Sequence, residues 1–169
     1  MTAQELEVIH ADLLVAKNIL YPPDGGNHSQ NNPQLNNLAA YLSAQAIEKA
    51  LKNLVHDKGE MNAELSVTHN IASLLISVEL YNPNFIRNHE FVTQNAKSLS
   101  KANSLRYGKK GIDKGDAIAI YKAARDLHCE LQQEYLSENP DKRQMFNEAV
   151  RQYDAMEKLP FKRQEAIRD

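Results

Sequence analysis

The chain has 169 residues, a formal net charge of −2, 42% hydrophobic residues and 25% charged ones. That suffices for one domain with a real core, is too short for two large ones, and matches an ordinary water-soluble domain. No apolar run approaches the roughly 20 residues of a membrane span. The acidic start, MTAQELEVIHADLL, lacks the basic opening of a secretory signal. Cys129 stands alone and cannot close an internal disulfide, so a reducing cytoplasmic setting is expected. The histidines at 10, 28, 56, 69, 89 and 128 include no pair one helical turn apart, and neither a metal centre nor a cofactor is expected.

Helical periodicity dominates. Leu6, Ile9, Leu13, Ala16 and Leu20 recur at spacings of 3, 4, 3 and 4, one face of a first helix, and Tyr21-Pro22-Pro23-Asp24-Gly25-Gly26 stops it. An Asn-rich polar loop leads to Pro33. A second helix is predicted from Pro33 to His56 with Leu35, Leu38, Ala39, Leu42, Ala46, Ala50, Leu51 and Leu54 inward, ended by Lys58-Gly59. Thr68 reads as the cap of a third helix reaching Leu80, which Tyr81-Asn82-Pro83 terminates. Asn84 caps a predicted fourth helix reaching Ser104, with Ile86, Phe91, Ala96 and Leu99 among its apolar residues. The glycine- and lysine-rich segment RYGKKGIDKGD follows. Beyond it comes a fifth helix with Ile120, Ala124, Leu127 and Leu131 on one face. Glu138-Asn139-Pro140 breaks it, and a sixth helix is predicted from Asp141 to Leu159. No segment alternates as a strand does. The expected fold is all-α, an up-down bundle of four or five long helices, with residues 1–138 as the bundle and 139–169 as a helical C-terminal extension of the same domain.

Charge is spread unevenly along this framework. Residues 97–125 carry eight basic side chains against two acidic ones, while 1–96 and 126–169 are both net acidic. A local anion site fits this pattern better than a surface made to coat nucleic acid, and no DNA specificity is indicated.

Four pieces, taken together and in order, resemble one family. They are HADLLVAKNIL in the first helix, AAYLSAQAIEKALKNLV in the second, THNIASLL opening the third, and Arg106-Tyr107 ahead of the last long helix. The set is similar to the HEPN family of small helical domains, often found beside a minimal nucleotidyltransferase, and spans about residues 5–136. The resemblance implies an up-down bundle that forms a homodimer. Some members are metal-independent toxin ribonucleases of toxin–antitoxin systems, and others are non-catalytic partners that bind a nucleotide, RNA or a companion nucleotidyltransferase. The nucleases carry an Arg followed, after four to six residues, by a His. Here Arg87 precedes His89 by two positions and Arg125 precedes His128 by three. This departure favours the non-catalytic reading, with a toxin-like ribonuclease using Arg125 and His128 as the alternative.

Three side-chain sets carry possible chemistry. Gln45, Lys49, Lys52 and His56 share one face of the second helix, bordered by Glu48, and the lysines could hold phosphate oxygens; a solvated face with a Glu48–Lys52 pair is the plain alternative. Arg106, Lys109, Lys110 and Lys114 lie among glycines ahead of a helix start, an arrangement that suits phosphate or simply a basic loop. Tyr121, Arg125, His128, Gln132 and Tyr135 form a stripe on the fifth helix. Arg125 could stabilise developing negative charge and His128 could move a proton. The plainer reading is a dimer or helix–helix contact, with Tyr121, Gln132 and Tyr135 as its interface residues. His69 is expected to pack or cap.

Overall fold

Thr2 starts the first helix by a reciprocal cap: its hydroxyl accepts from the Glu5 N–H at 3.2 Å, and its own N–H donates to the Glu5 carboxylate at 2.7 Å. In the computed structural model, which describes residues 1–23, 32–107 and 111–142, this helix is α1 (Ala3–Leu20). The predicted stripe of Leu6, Ile9, Leu13, Ala16 and Leu20 is its buried face, at most 1% exposed. Burying each of the larger side chains contributes about 1.5–3 kcal/mol.

Asn32 caps α2 (Pro33–Asp57), with Pro33 in its first turn, where a missing N–H costs nothing. The helix ends as its sequence asks. Gly59 adopts φ 74°, and the N–H groups of Gly59 and Glu60 donate to the carbonyls of His56 and Val55 at 2.9 and 3.1 Å, closing the last turn. α1, α4, α8 and α9 all pack on α2. It is therefore buried on more sides than a single stripe would require, with Ala40, Ala44 and Ile47 inside, while Leu42 and Leu54 sit half-buried at the edge of the core.

A short α3 (Ala63–Val67) precedes α4 (Ile71–Glu79), capped by Asn70 rather than Thr68. Ile71, Leu74, Leu75 and Val78 are buried, while Ile76 and Leu80 stay 63% and 75% exposed. The predicted fourth helix is realised as four pieces: α5 (Phe85–Asn88), α6 (Glu90–Gln94), α7 (Ala96–Leu99) and α8 (Ala102–Tyr107). Polar side chains bond back to carbonyls four residues earlier at these breaks: Thr93 to His89, Asn95 to Phe91, and Ser100 to Ala96 at 2.7 Å. Such bonds compete with the helical ladder and bend it. His89 holds this run to the bundle. It is stacked on Phe85 and bonded to Glu130 at 2.8 Å.

α9 (Lys114–Glu138) begins at Asp113, whose carboxylate accepts from the Gly115 N–H at 2.6 Å, and a 3-10 turn, Pro140–Lys142, follows it. The approach to α9 is clamped to the start of α2. Ile112 donates to Asn37 at 2.8 Å and accepts from Asn36 at 3.4 Å, and Gly111 lies so close to Pro33 that a Cβ would sit 2.1 Å from the proline Cβ.

Cross-links set the directions. Asp12 pairs with Lys49 and the Met1 amine pairs with Asp57, so α1 runs against α2. The clamp at Ile112 starts α9 from the same end as α2, while α5–α7 run back along α9 from Glu130 towards Ile112. This is an all-α, up-down bundle; no strand occurs among the described residues. Nor is any described helix long and apolar enough to cross a membrane. The Asn-rich loop, Lys109, Lys110 and the predicted helix from Asp141 to Leu159 lie, apart from the turn at 140–142, outside the described residues.

Candidate functional site

Tyr41, Gln45, Glu48 and Lys52 follow one another at spacings of 4, 3 and 4 along α2 and so share a face. Glu48 is the hub of that face. Its carboxylate takes the Lys52 ammonium at 3.0 Å and the His69 Nδ1 at 3.1 Å. Lys52 also donates to the Ser66 carbonyl at 3.0 Å, tying the returning loop down. The loop is shaped by its own polar side chains. Thr68 accepts from the Asn70 N–H, Asn70 caps α4, and the Ser100 hydroxyl accepts from the Ile71 N–H at 2.8 Å. This chain of bonds sets His69 against Glu48 with its side chain 66% exposed.

Opposite His69, the segment around α8 closes a shallow cleft lined by Tyr41, Gln45, Glu48, His69, Ser100 and Ala102. The Arg106 guanidinium stands 5.3 Å from the centre of the ring of Tyr41, one of the residues that line this cleft. With Nδ1 committed to Glu48, Nε2 is the ring nitrogen of the exposed His69 side chain left for a ligand. The Arg106 guanidinium beside Tyr41, the His69 ring and the Gln45 amide thus come from three separate stretches of chain. Such a set suits phosphate oxygens and the polar edge of an attached group.

The expected phosphate residues are only partly brought together. Arg106 is at the cleft, but Lys52 serves Glu48 and Ser66, and Lys49 reaches Asp12 at 2.5 Å and joins α2 to α1. Lys114 is half-buried at the first turn of α9.

The Arg125–His128 pair does not form a reaction centre. The Arg125 guanidinium bonds its neighbour Asp126 at 2.9 and 3.1 Å. His128 has no exposure at all, its ring lies 6.0 Å from that of His10, and neither ring nitrogen has a hydrogen-bond partner among the described residues. Burial, helped by the neighbouring His10, lowers its pKa to about 4. Burial also lowers that of His10, Glu7 opposing and Lys17 assisting. A sealed, neutral imidazole cannot exchange protons with a substrate it does not meet.

The expected contact stripe is likewise turned inward, and the contact it makes in this chain is between helices of the bundle. Tyr121 is 0% exposed with its ring 6.2 Å from that of Tyr21, Gln132 is 4% exposed, and Tyr135 is 9% exposed. The cause is topological. α9 packs against both α1 and α2, so its aliphatic face and the adjoining Tyr–His–Gln stripe are both covered.

His69, expected to pack or cap, and Glu48, expected only to border the lysine face, instead meet in this cleft. The usable signal was a histidine on a polar Thr-His-Asn turn; its partner, 21 positions earlier, is visible only in the fold. No described group of three or more His, Cys, Asp or Glu side chains could hold a metal ion. Comparison with protein-family models, curated proteins and solved structures finds no match to this chain.

Proposed function

We propose that this chain is a HEPN-like, non-catalytic binding module that takes the phosphate of a nucleotide or RNA at the cleft between α2, the turn before α4, and α8. One observation carries the reading: Glu48 holds the His69 ring in a cleft that Tyr41 also lines, and Arg106 lies over the Tyr41 ring, so that residues from three of the four pieces behind the resemblance flank it. Arg106 pairs with phosphate oxygens, as does the Nε2–H of His69 in its imidazolium form, whose Nδ1–H is donated to Glu48, and Gln45 contacts the sugar or base. The companion nucleotidyltransferase and the homodimer belong to the same proposal, on the resemblance alone.

The alternative, a ribonuclease using Arg125 and His128, requires an imidazole that reaches RNA, whereas His128 lies in the core. The test is titration of the purified protein with ATP, AMP and a short single-stranded RNA. Arg106→Ala and His69→Ala are each expected to weaken binding about 10–100-fold, the equivalent of one charge-assisted hydrogen bond. Labelled RNA stays intact throughout. Absence of binding, or binding indifferent to both substitutions, refutes the proposal. RNA cleavage lost with His128→Ala reinstates the enzyme.

A further inference from the structure

We infer that the groove between α6–α7 and α9 is a second, separate binding site, for a small organic cation with an apolar body. The groove encloses about 270 Å³, near the lower end of ligand-sized cavities. Phe91, Leu99, Ile112 and Ile120 wall it, giving an aromatic face and three aliphatic ones. Its polar groups are Asn95, Ser98 and Asp116, and no basic side chain lines it among the described residues.

These polar groups point to a donor-rich, positively charged guest. Asn95 donates one Nδ2 hydrogen to the Phe91 carbonyl at 2.8 Å, a bond made at the helix break, and keeps its Oδ1, an acceptor, and one N–H for a ligand. Asp116 offers a carboxylate that makes no ion pair among the described residues. Capping α9 does not require it, because Asp113 already accepts from the Gly115 N–H. Ser98 can follow either polarity, since a hydroxyl both donates and accepts. An anion would meet the Asp116 charge with no basic side chain among the described lining residues to oppose it. A neutral apolar guest would leave carboxylate and amide oxygen at the mouth without a partner. An ammonium group satisfies both oxygens while its ring or chain covers Phe91 and the aliphatic wall, where an aromatic face also favours a cation.

The experiment is an amide-resolved NMR titration of the full chain with 2-phenylethylamine, 2-phenylethanol and 3-phenylpropionate, which share a body and differ in head-group charge. The amine is expected to shift amides of residues 91–99 and 112–120 saturably, and to bind about tenfold more tightly than the alcohol. Asp116→Asn is expected to remove that preference. Ala119→Trp, from within the groove, and Ser98→Phe, from its exposed rim, are each expected to abolish binding of the amine. The rim variant keeps the test valid if the inner one fails to fold. Equal or better binding of the carboxylate, an unchanged preference in Asp116→Asn, or binding that survives Ser98→Phe overturns the inference. So does the absence of any saturable shift at the solubility limit. Arg106 and His69 do not line this groove, so the outcome is read independently of the phosphate proposal.

Discussion

Acidification should destabilise this bundle through His128 in a way that a substitution can isolate. The ring is buried without hydrogen-bond partners among the described residues, and its pKa falls from 6.5 to about 4. Above pH 6.5 the ring is neutral in both folded and unfolded chains and contributes no pH dependence. Between 6.5 and 4 the unfolded chain takes up a proton that the folded chain refuses, so stability falls as pH falls, and below 4 the loss is complete. At about 1.4 kcal/mol per pH unit, the interval corresponds to ~3 kcal/mol. That is a large share of the 5–15 kcal/mol typical of a domain. Lowering of the His10 pKa acts in the same direction. The assay is urea unfolding of wild type and His128→Phe at steps from pH 7.5 to 4.5. Carboxylates common to both proteins cancel in the difference. Wild type should lose ~2–3 kcal/mol more than the variant over this range. Parallel pH profiles, or an imidazole resonance of His128 titrating near 6.5, would refute the reasoning.

Other expectations follow from single contacts. Gly111→Ala forces a Cβ into Pro33 and should cost about 1–3 kcal/mol by thermal or urea unfolding, as overpacking does. At Gly59, φ is 74° with open space around it, so Gly59→Ala should cost only the ~1–2 kcal/mol of a left-handed alanine, with no other change in the spectrum. Leu51→Ala removes a 0% exposed side chain from the centre of α2 and should lower stability by about 2–5 kcal/mol in urea melts. Glu48→Gln removes the charge that holds Lys52 and His69. Its stability cost should stay within about 1 kcal/mol, because the pairs are partly exposed, while nucleotide affinity drops with the loss of His69 orientation.

Local signals were most readable where one element controls its own environment. The stripe of α1, the start of α2 at Pro33, its stop at Gly59 and the arrival of α9 beyond the glycine- and lysine-rich segment follow from periodicity and local stop and start signals within a few positions. The predicted fourth helix failed as a single rod because Thr93, Asn95 and Ser100 each bond back to a carbonyl one turn earlier, and an apolar count does not register that competition. Thr68 was replaced as a cap by Asn70, two residues on, since both are good caps and the packing of Ile71 decides between them. For the polar stripe of α9, helix–helix and subunit contact stay undivided in the sequence, because an α-helix with neighbours on two sides buries more than its aliphatic face. Tyr121, His128 and Gln132 could be assigned to core or surface only once α1 was in place. The cleft was the least readable feature, since Glu48, His69 and Arg106 belong to segments joined only by the return of the chain along α2.

The most direct test of the central claim follows the imidazole resonances of the protein while ATP is added. The account predicts a saturable shift of the His69 ring signals, abolished in Arg106→Ala, with the His128 signals unmoved. A shift confined to His128, or no histidine response with ATP in excess, would contradict it.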